Sequence, residues 1–227
     1  FPDGADKAQI LKWHDKSFIR GFTTNPTLMR AAGVADYEGF ARDILAVIKD
    51  RPISFEVLAD EFGEMERQAH QIAGWGENVY VKIPVTNTRR QPSMELVRVL
   101  SRSGVKVNVT AVLTLEQVRA AVEALAGGPS CLISIFAGRI ADTGRDPVPM
   151  IARAAEMVSK HANIELIWAS PRELLNIFHA NDAGCHIITV TDNILEKLQT
   201  IGKDLNDYSL ETVLMFHNDA AKSGYRL

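Results

Sequence analysis

The stretch Val79-Tyr80-Val81-Lys82-Ile83-Pro84-Val85 alternates two kinds of residue. Successive side chains of a strand point to opposite faces, so Val79, Val81, Ile83 and Val85 share one face. A face that apolar has to be covered by other elements. Tyr80, Lys82 and Pro84 then point to the opposite side, and the lysine is the residue that needs a reason to be there.

The same parity runs through the neighbouring strand-like segments. Phe55 and Val57 take the covered face and turn Ser54 and Glu56 the other way. Val107 and Val109 leave Asn108 and Thr110 opposite, while Ile133 and Ile135 leave Ser134 and Phe136 opposite. Asp3 and Asn25 sit at the C-terminal ends of their own short runs. Polar and charged groups from six strands thus converge on one axis. Barrel interiors are ordinarily filled with branched apolar side chains, and burying polar groups unpaired costs on the order of several kcal/mol. An active site at the C-terminal mouth of a barrel accommodates them. The plainer alternative is a closed internal network around one ion pair, Lys82 with Glu56 or Asp3.

Strand-like runs at 20–23, 53–57, 79–85, 105–109, 131–135, 164–169 and 186–190 follow a stub ending at Asp3. Stretches of helical period lie between them, at 6–15, 36–49, 60–75, 93–103, 114–125, 147–160, 171–181 and 192–198. Thr114 and Gln117 have the spacing of a capping box. Eight strand–helix units without a linker predict parallel crossovers. The expected fold is an α/β (β/α)8 TIM barrel formed by residues 1–227 as a single domain, with an additional C-terminal helix at 210–222. Leu210, Val213, Leu214 and Phe216 share one side of that helix and need a partner surface. An open doubly wound sheet fits less well, because no glycine-rich phosphate loop follows the first strand. The chain opens at Phe1 without a methionine, inside a strand-like run, so the reading expects upstream residues that complete this strand.

The 227 residues are 46% hydrophobic and 23% charged, with 25 Lys and Arg against 28 Asp and Glu. That composition describes a folded, soluble chain. No apolar run reaches the roughly 18–20 residues of a membrane span, and no basic cluster exceeds Arg89-Arg90, so neither a membrane nor nucleic acid is the expected partner. Cys131 and Cys185 read as free thiols of a reducing compartment. None of the six histidines has ligand spacing, so no metal site is expected, and His186 reads as a core histidine. A lysine held away from water is disfavoured as an ammonium, and its neutral amine can attack a carbonyl to form a Schiff base. Two separate carboxylates would serve the proton transfers this chemistry needs.

Gly21-Phe22-Thr23-Thr24-Asn25-Pro26-Thr27 resembles the TTNP signature of the transaldolase family, and Val81–Thr86 resembles that family's Schiff-base strand. Phe1–Asp6, Ser54–Val57, Asn108–Thr110, Ile133–Ile140 and Ser170-Pro171-Arg172 resemble further motifs of the family, in its order. The resemblance implies a cofactor-free cytoplasmic enzyme of carbohydrate metabolism acting on sugar phosphates, with Lys82 as nucleophile and Asp3 as the acid/base. It implies that Glu56 and Thr110 position a water and that Asn25, Asn108 and Ser134, with Thr23 beside them, bind a dihydroxyacetone unit. Arg139, Ser170 and Arg172 would hold the phosphate. Glu56 and Phe136 match the members that mainly transfer, whereas the chain length resembles the aldolases. A transaldolase is therefore expected. The alternative is a fructose-6-phosphate-type aldolase releasing free dihydroxyacetone, or an aldolase for a modified sugar. Gly4 departs from the usual Thr, and the basic loop at Arg89-Arg90 reads either as solvated or as a contact to an anionic substrate. Relatives form dimers or pentamer-based rings, so a homo-oligomer is expected.

Overall fold

A computed structural model describes residues 1–226. They divide into two compact units, Phe1–Leu195 and a second that begins at Glu196. Seven strands of the first unit form one parallel sheet in sequence order: β1 (Phe22–Thr23), β2 (Ile53–Glu56), β3 (Val79–Pro84), β4 (Val107–Val112), β5 (Cys131–Ile135), β6 (Ile164–Trp168) and β7 (Ile187–Ile188). The chain's first residues supply the missing neighbour. Val190 N donates to Phe1 O and Asp3 N to Val190 O, both at 2.8 Å, while Thr23 N donates to Pro2 O at 3.0 Å. Parallel bridges Pro2–Val190 and Asp3–Thr23 thus join β7 to β1 through the N-terminal stub. The ring is a (β/α)8-type barrel whose eighth member is the pair of isolated bridges at Pro2 and Asp3.

The parity reading of the strands holds. Val81, Ile83, Val107, Val109, Ile133 and Ile135 are wholly removed from solvent under the surrounding helices. Each contributes about 1.5–3 kcal/mol relative to exposure. On the other face, Tyr80, Leu132, Ile167 and Ala169 form an interior cluster, with Phe136 and Ile187 packed against it. Ala169 and Phe136 of this cluster also line the cavity that holds the polar residues. Register pairs Glu56 with Lys82, Lys82 with Asn108 and Pro84 with Thr110, so the polar groups of β2–β4 stand side by side.

Helices begin where the caps direct them: Asp6, Asn25, Asp36 and Thr114 each accept a backbone N–H of the first turn, and Thr114 and Gln117 form the capping box. Two helices escaped the sequence reading, Pro26–Ala31 and Ala137–Ala141. Six and five residues are too few to display a 3.6-residue period. His186 is corrected from a core histidine to an exposed one, its Nδ1 accepting the Leu166 N–H at 3.2 Å. Cys131 is buried and Cys185 half-buried, both free thiols.

In the second unit the helix runs Leu205–Ser223, a turn earlier than expected, because Asp204 caps it by accepting from Asn206 N and Asp207 N. Leu210, Val213, Leu214 and Phe216 are each at least half exposed. Among the described residues no helix is long and apolar enough to cross a membrane.

Candidate active site

A cavity of about 460 Å³ opens at the C-terminal ends of the strands. Eleven of the twelve residues singled out from the sequence line it: Asp3, Thr23, Asn25, Glu56, Lys82, Thr110, Ser134, Phe136, Arg139, Ser170 and Arg172. The twelfth, Asn108, is fully buried beneath. Its Nδ2 donates to Ser54 Oγ at 3.1 Å, and its Oδ1 accepts from Ser134 Oγ at 2.7 Å. Three strands thereby share one satisfied polar chain, which holds Ser134 in a single orientation.

Lys82 rises from this floor with only 6% of its surface exposed. Its Nζ donates to Thr24 O at 2.9 Å and lies 3.1 Å from Glu56 Oε2. The buried pair is tolerated because each charge has a partner. Asp3 stands across the mouth and accepts from Thr23 Oγ1 at 2.9 Å. Burial pushes its carboxyl above the ordinary Asp range, against the pull of the Lys82 charge and the Thr23 hydrogen bond. Thr110 Oγ1 is buried without a protein partner. It sits at a bulge: Val109 pairs with Ile133 but Val112 with Ile135, and Ala111 takes a left-handed φ of 61°. The extra residue turns the strand end into the cavity.

The rim on the β5–β6 side is basic. Arg139 projects from the short helix Ala137–Ala141, and Arg172 follows Ser170, whose φ of 60° bends the chain back over that helix. Gly138 makes the approach possible, since a Cβ there would lie 1.6 Å from Ser170 O. Gly138→Ala is expected to lower Tm by roughly 5–10 °C in a thermal melt, because the obstacle is backbone and overpacking costs about 1–3 kcal/mol or more. Asp142 grips Arg172 through both oxygens, Nε donating to Oδ1 at 2.9 Å. That guanidinium holds the Asp142 carboxyl below the usual carboxylate range.

The sequence reading missed Thr189 and Thr191, which also line the cavity. Thr189 Oγ1 is buried and unpartnered. Both continue the period of two set by inward-facing Ile187, and that alternation was the available signal. Asp142 and Tyr37, which holds the Glu56 backbone, were missed because they reach the site from helices. Arg89 is bound to Glu61 by two hydrogen bonds, at 2.5 and 2.8 Å, and to no group of the cavity. Among the described residues no three His, Cys, Asp or Glu side chains are grouped so as to hold a metal ion.

Residues 1–225 match the family described as Transaldolase/Fructose-6-phosphate aldolase. The chain belongs to this family. It is 33% identical over 199 residues to a probable transaldolase of Dehalococcoides mccartyi, covering 87% of this chain and 88% of that protein. A probable transaldolase of Streptococcus agalactiae is 34% identical over 215 residues, 94% of each chain. Probable transaldolase 2 of Listeria monocytogenes is 32% identical over 199 residues, 87% of each. Family membership and the cavity therefore agree: a transaldolase-type barrel carries its convergent polar residues where barrel enzymes carry their active sites.

Proposed function

We propose that this chain is a cytoplasmic Schiff-base transaldolase that moves a dihydroxyacetone unit between sugar phosphates. The observation that carries the reading is the buried Lys82 amine facing the cavity, 3.1 Å from one carboxylate, with a second carboxylate on another strand. Lys82 passes a proton to Glu56, its freed amine attacks the ketose C2 carbonyl, and the carbinolamine takes that proton back as it loses water to give an iminium. Glu56, with the unpartnered Thr110 hydroxyl, holds the water that carries these protons. Asp3 takes the proton of the C4 hydroxyl, the C3–C4 bond breaks, and its electron pair enters the iminium. An aldehyde leaves, and the enamine stays on Lys82. Attack on a second aldehyde and hydrolysis return the free amine.

Asn25, Asn108 and Ser134, with Thr23, orient the dihydroxyacetone hydroxyls, and Arg139, Ser170 and Arg172 bind the phosphate. Phe136 supports transfer over release of free dihydroxyacetone. It packs on the interior apolar cluster and offers no hydroxyl to order a hydrolytic water. The apolar residues exposed on Leu205–Ser223 support a homo-oligomer.

With fructose 6-phosphate and erythrose 4-phosphate supplied together, sedoheptulose 7-phosphate is expected to accumulate. Free dihydroxyacetone appearing at the same rate without the acceptor identifies an aldolase instead. No consumption of the ketose under either condition sinks both readings.

A further inference from the structure

In the parallel ladder between β1 and β2, Phe22 N donates to Pro52 O and Thr24 N to Ser54 O. One step further, the same register calls for Glu56 N to donate to Thr24 O and for residue 26 to donate to Glu56 O. Neither bond forms. Residue 26 is Pro26, which has no N–H and starts a helix, and Thr24 O accepts from Lys82 Nζ instead. On its β1 side, the backbone of Glu56 is left without a strand at the point where its side chain meets the lysine.

One hydroxyl fills both vacancies. Tyr37 Oη donates to Glu56 O at 2.9 Å and accepts from Glu56 N at 2.8 Å. Tyr37 opens the helix Tyr37–Val47, which Asp36 caps by accepting from Gly39 N. Its ring is wedged edge-on against Trp75 and Phe55, with centroids 5.8 and 6.3 Å away. Burial raises the phenol's pKa, so the proton needed for donation stays in place.

We propose that Tyr37 is a positioning residue for Glu56, its hydroxyl standing in for the strand that the Thr24-Asn25-Pro26 turn removes. This deepens the function proposed above and rests on its reading of Glu56 as the proton-relay group beside Lys82. The turn frees a carbonyl to hold the lysine, and Tyr37 keeps the opposite backbone rigid while it does so. Without the hydroxyl, two backbone groups lose their partners and the carboxylate loses its fixed distance to the amine.

The test is the rate at which full-length protein, mixed with fructose 6-phosphate and quenched with borohydride at timed intervals, gains an adduct by intact mass. Tyr37→Phe is expected to slow adduct formation about tenfold at saturating ketose, a loss typical of misplaced catalytic groups. The half-saturating concentration is expected to stay within about twofold, since the proposed binding groups lie on other elements. Phe55→Leu, which loosens the same aromatic cluster but keeps the hydroxyl, is expected to lower Tm without slowing the reaction. In a Glu56→Gln background, adding Tyr37→Phe is expected to cost less than about twofold. A Tyr37→Phe protein reacting at the wild-type rate overturns the positioning role and leaves the Schiff-base reading intact. A full tenfold loss in the Glu56→Gln background, or equal slowing by Phe55→Leu, overturns it as well. If wild type gains no adduct, the Schiff-base reading itself fails, and Tyr37 has no reaction to serve.

Discussion

Lys82→Met is expected to abolish the borohydride-trapped adduct and to lower turnover of fructose 6-phosphate by about four orders of magnitude or more, as removal of a covalent nucleophile does. Methionine keeps the flexible unbranched stem while the amine is lost. The variant also separates two roles of the side chain. Removing Lys82 leaves Glu56 without its counter-charge in a site where it is mostly buried. Breaking such a pair costs roughly 3–5 kcal/mol, or about 10 °C in Tm for a chain of this size. Adding Glu56→Gln removes the uncompensated charge and is expected to recover part of that stability but none of the activity. Adduct mass and thermal melts on the two variants check both statements. Labelling of Lys82→Met at the wild-type rate would refute the assignment.

Asp3→Asn is expected to separate Schiff-base formation from bond cleavage. On the proposed mechanism the amine still condenses with the ketose, so borohydride traps an adduct of unbroken sugar. Deprotonation of the C4 hydroxyl is lost, and cleavage falls by about 10²–10⁴-fold. The same substitution has a stability signature. Burial raises the Asp3 carboxyl above its usual value of 3.8. Between that value and the raised one, the folded state binds more protons than the unfolded chain, so stability falls as pH rises through this window. Above it, the wild-type protein carries the full cost of a buried carboxylate. Asp3→Asn does not titrate. It is therefore expected to melt higher than wild type at pH 7, with the advantage shrinking as pH falls towards 3.8. Equal Tm differences at both ends of that range would count against the buried carboxylate as the source.

The first result depends on residues that were legible from alternation alone, while Asp3 was placed only by its position at the end of a short run. Lys82, Glu56, Asn108, Thr110 and Ser134 are the odd members of strands whose other face is Val and Ile, and a period of two leaves no freedom about where they point. Caps were equally readable, because an Asp, Asn or Thr before a helix acts through its own neighbours in sequence. Thr189 and Thr191 obey the same parity just beyond the two-residue strand Ile187–Ile188; the run at 186–190 was read as a strand, but its inward-facing positions were not followed to its end. The helices Pro26–Ala31 and Ala137–Ala141 stayed hidden because they are too short to display a helical period.

By itself, the sequence determined the barrel, the parity of its longer strands, and most of the side chains that share the central axis, since these follow from local periodicity read strand by strand. Tertiary structure alone decided how those groups are held. That Lys82 takes Thr24 O rather than a second carboxylate, that Asp142 grips Arg172, and that a tyrosine hydroxyl completes the backbone of Glu56 are contacts across 58, 30 and 19 positions of sequence. No local pattern encodes them. The first and third arise because the Pro26 turn withdraws one strand edge, and buried polar groups left without partners take the nearest ones the fold brings within reach.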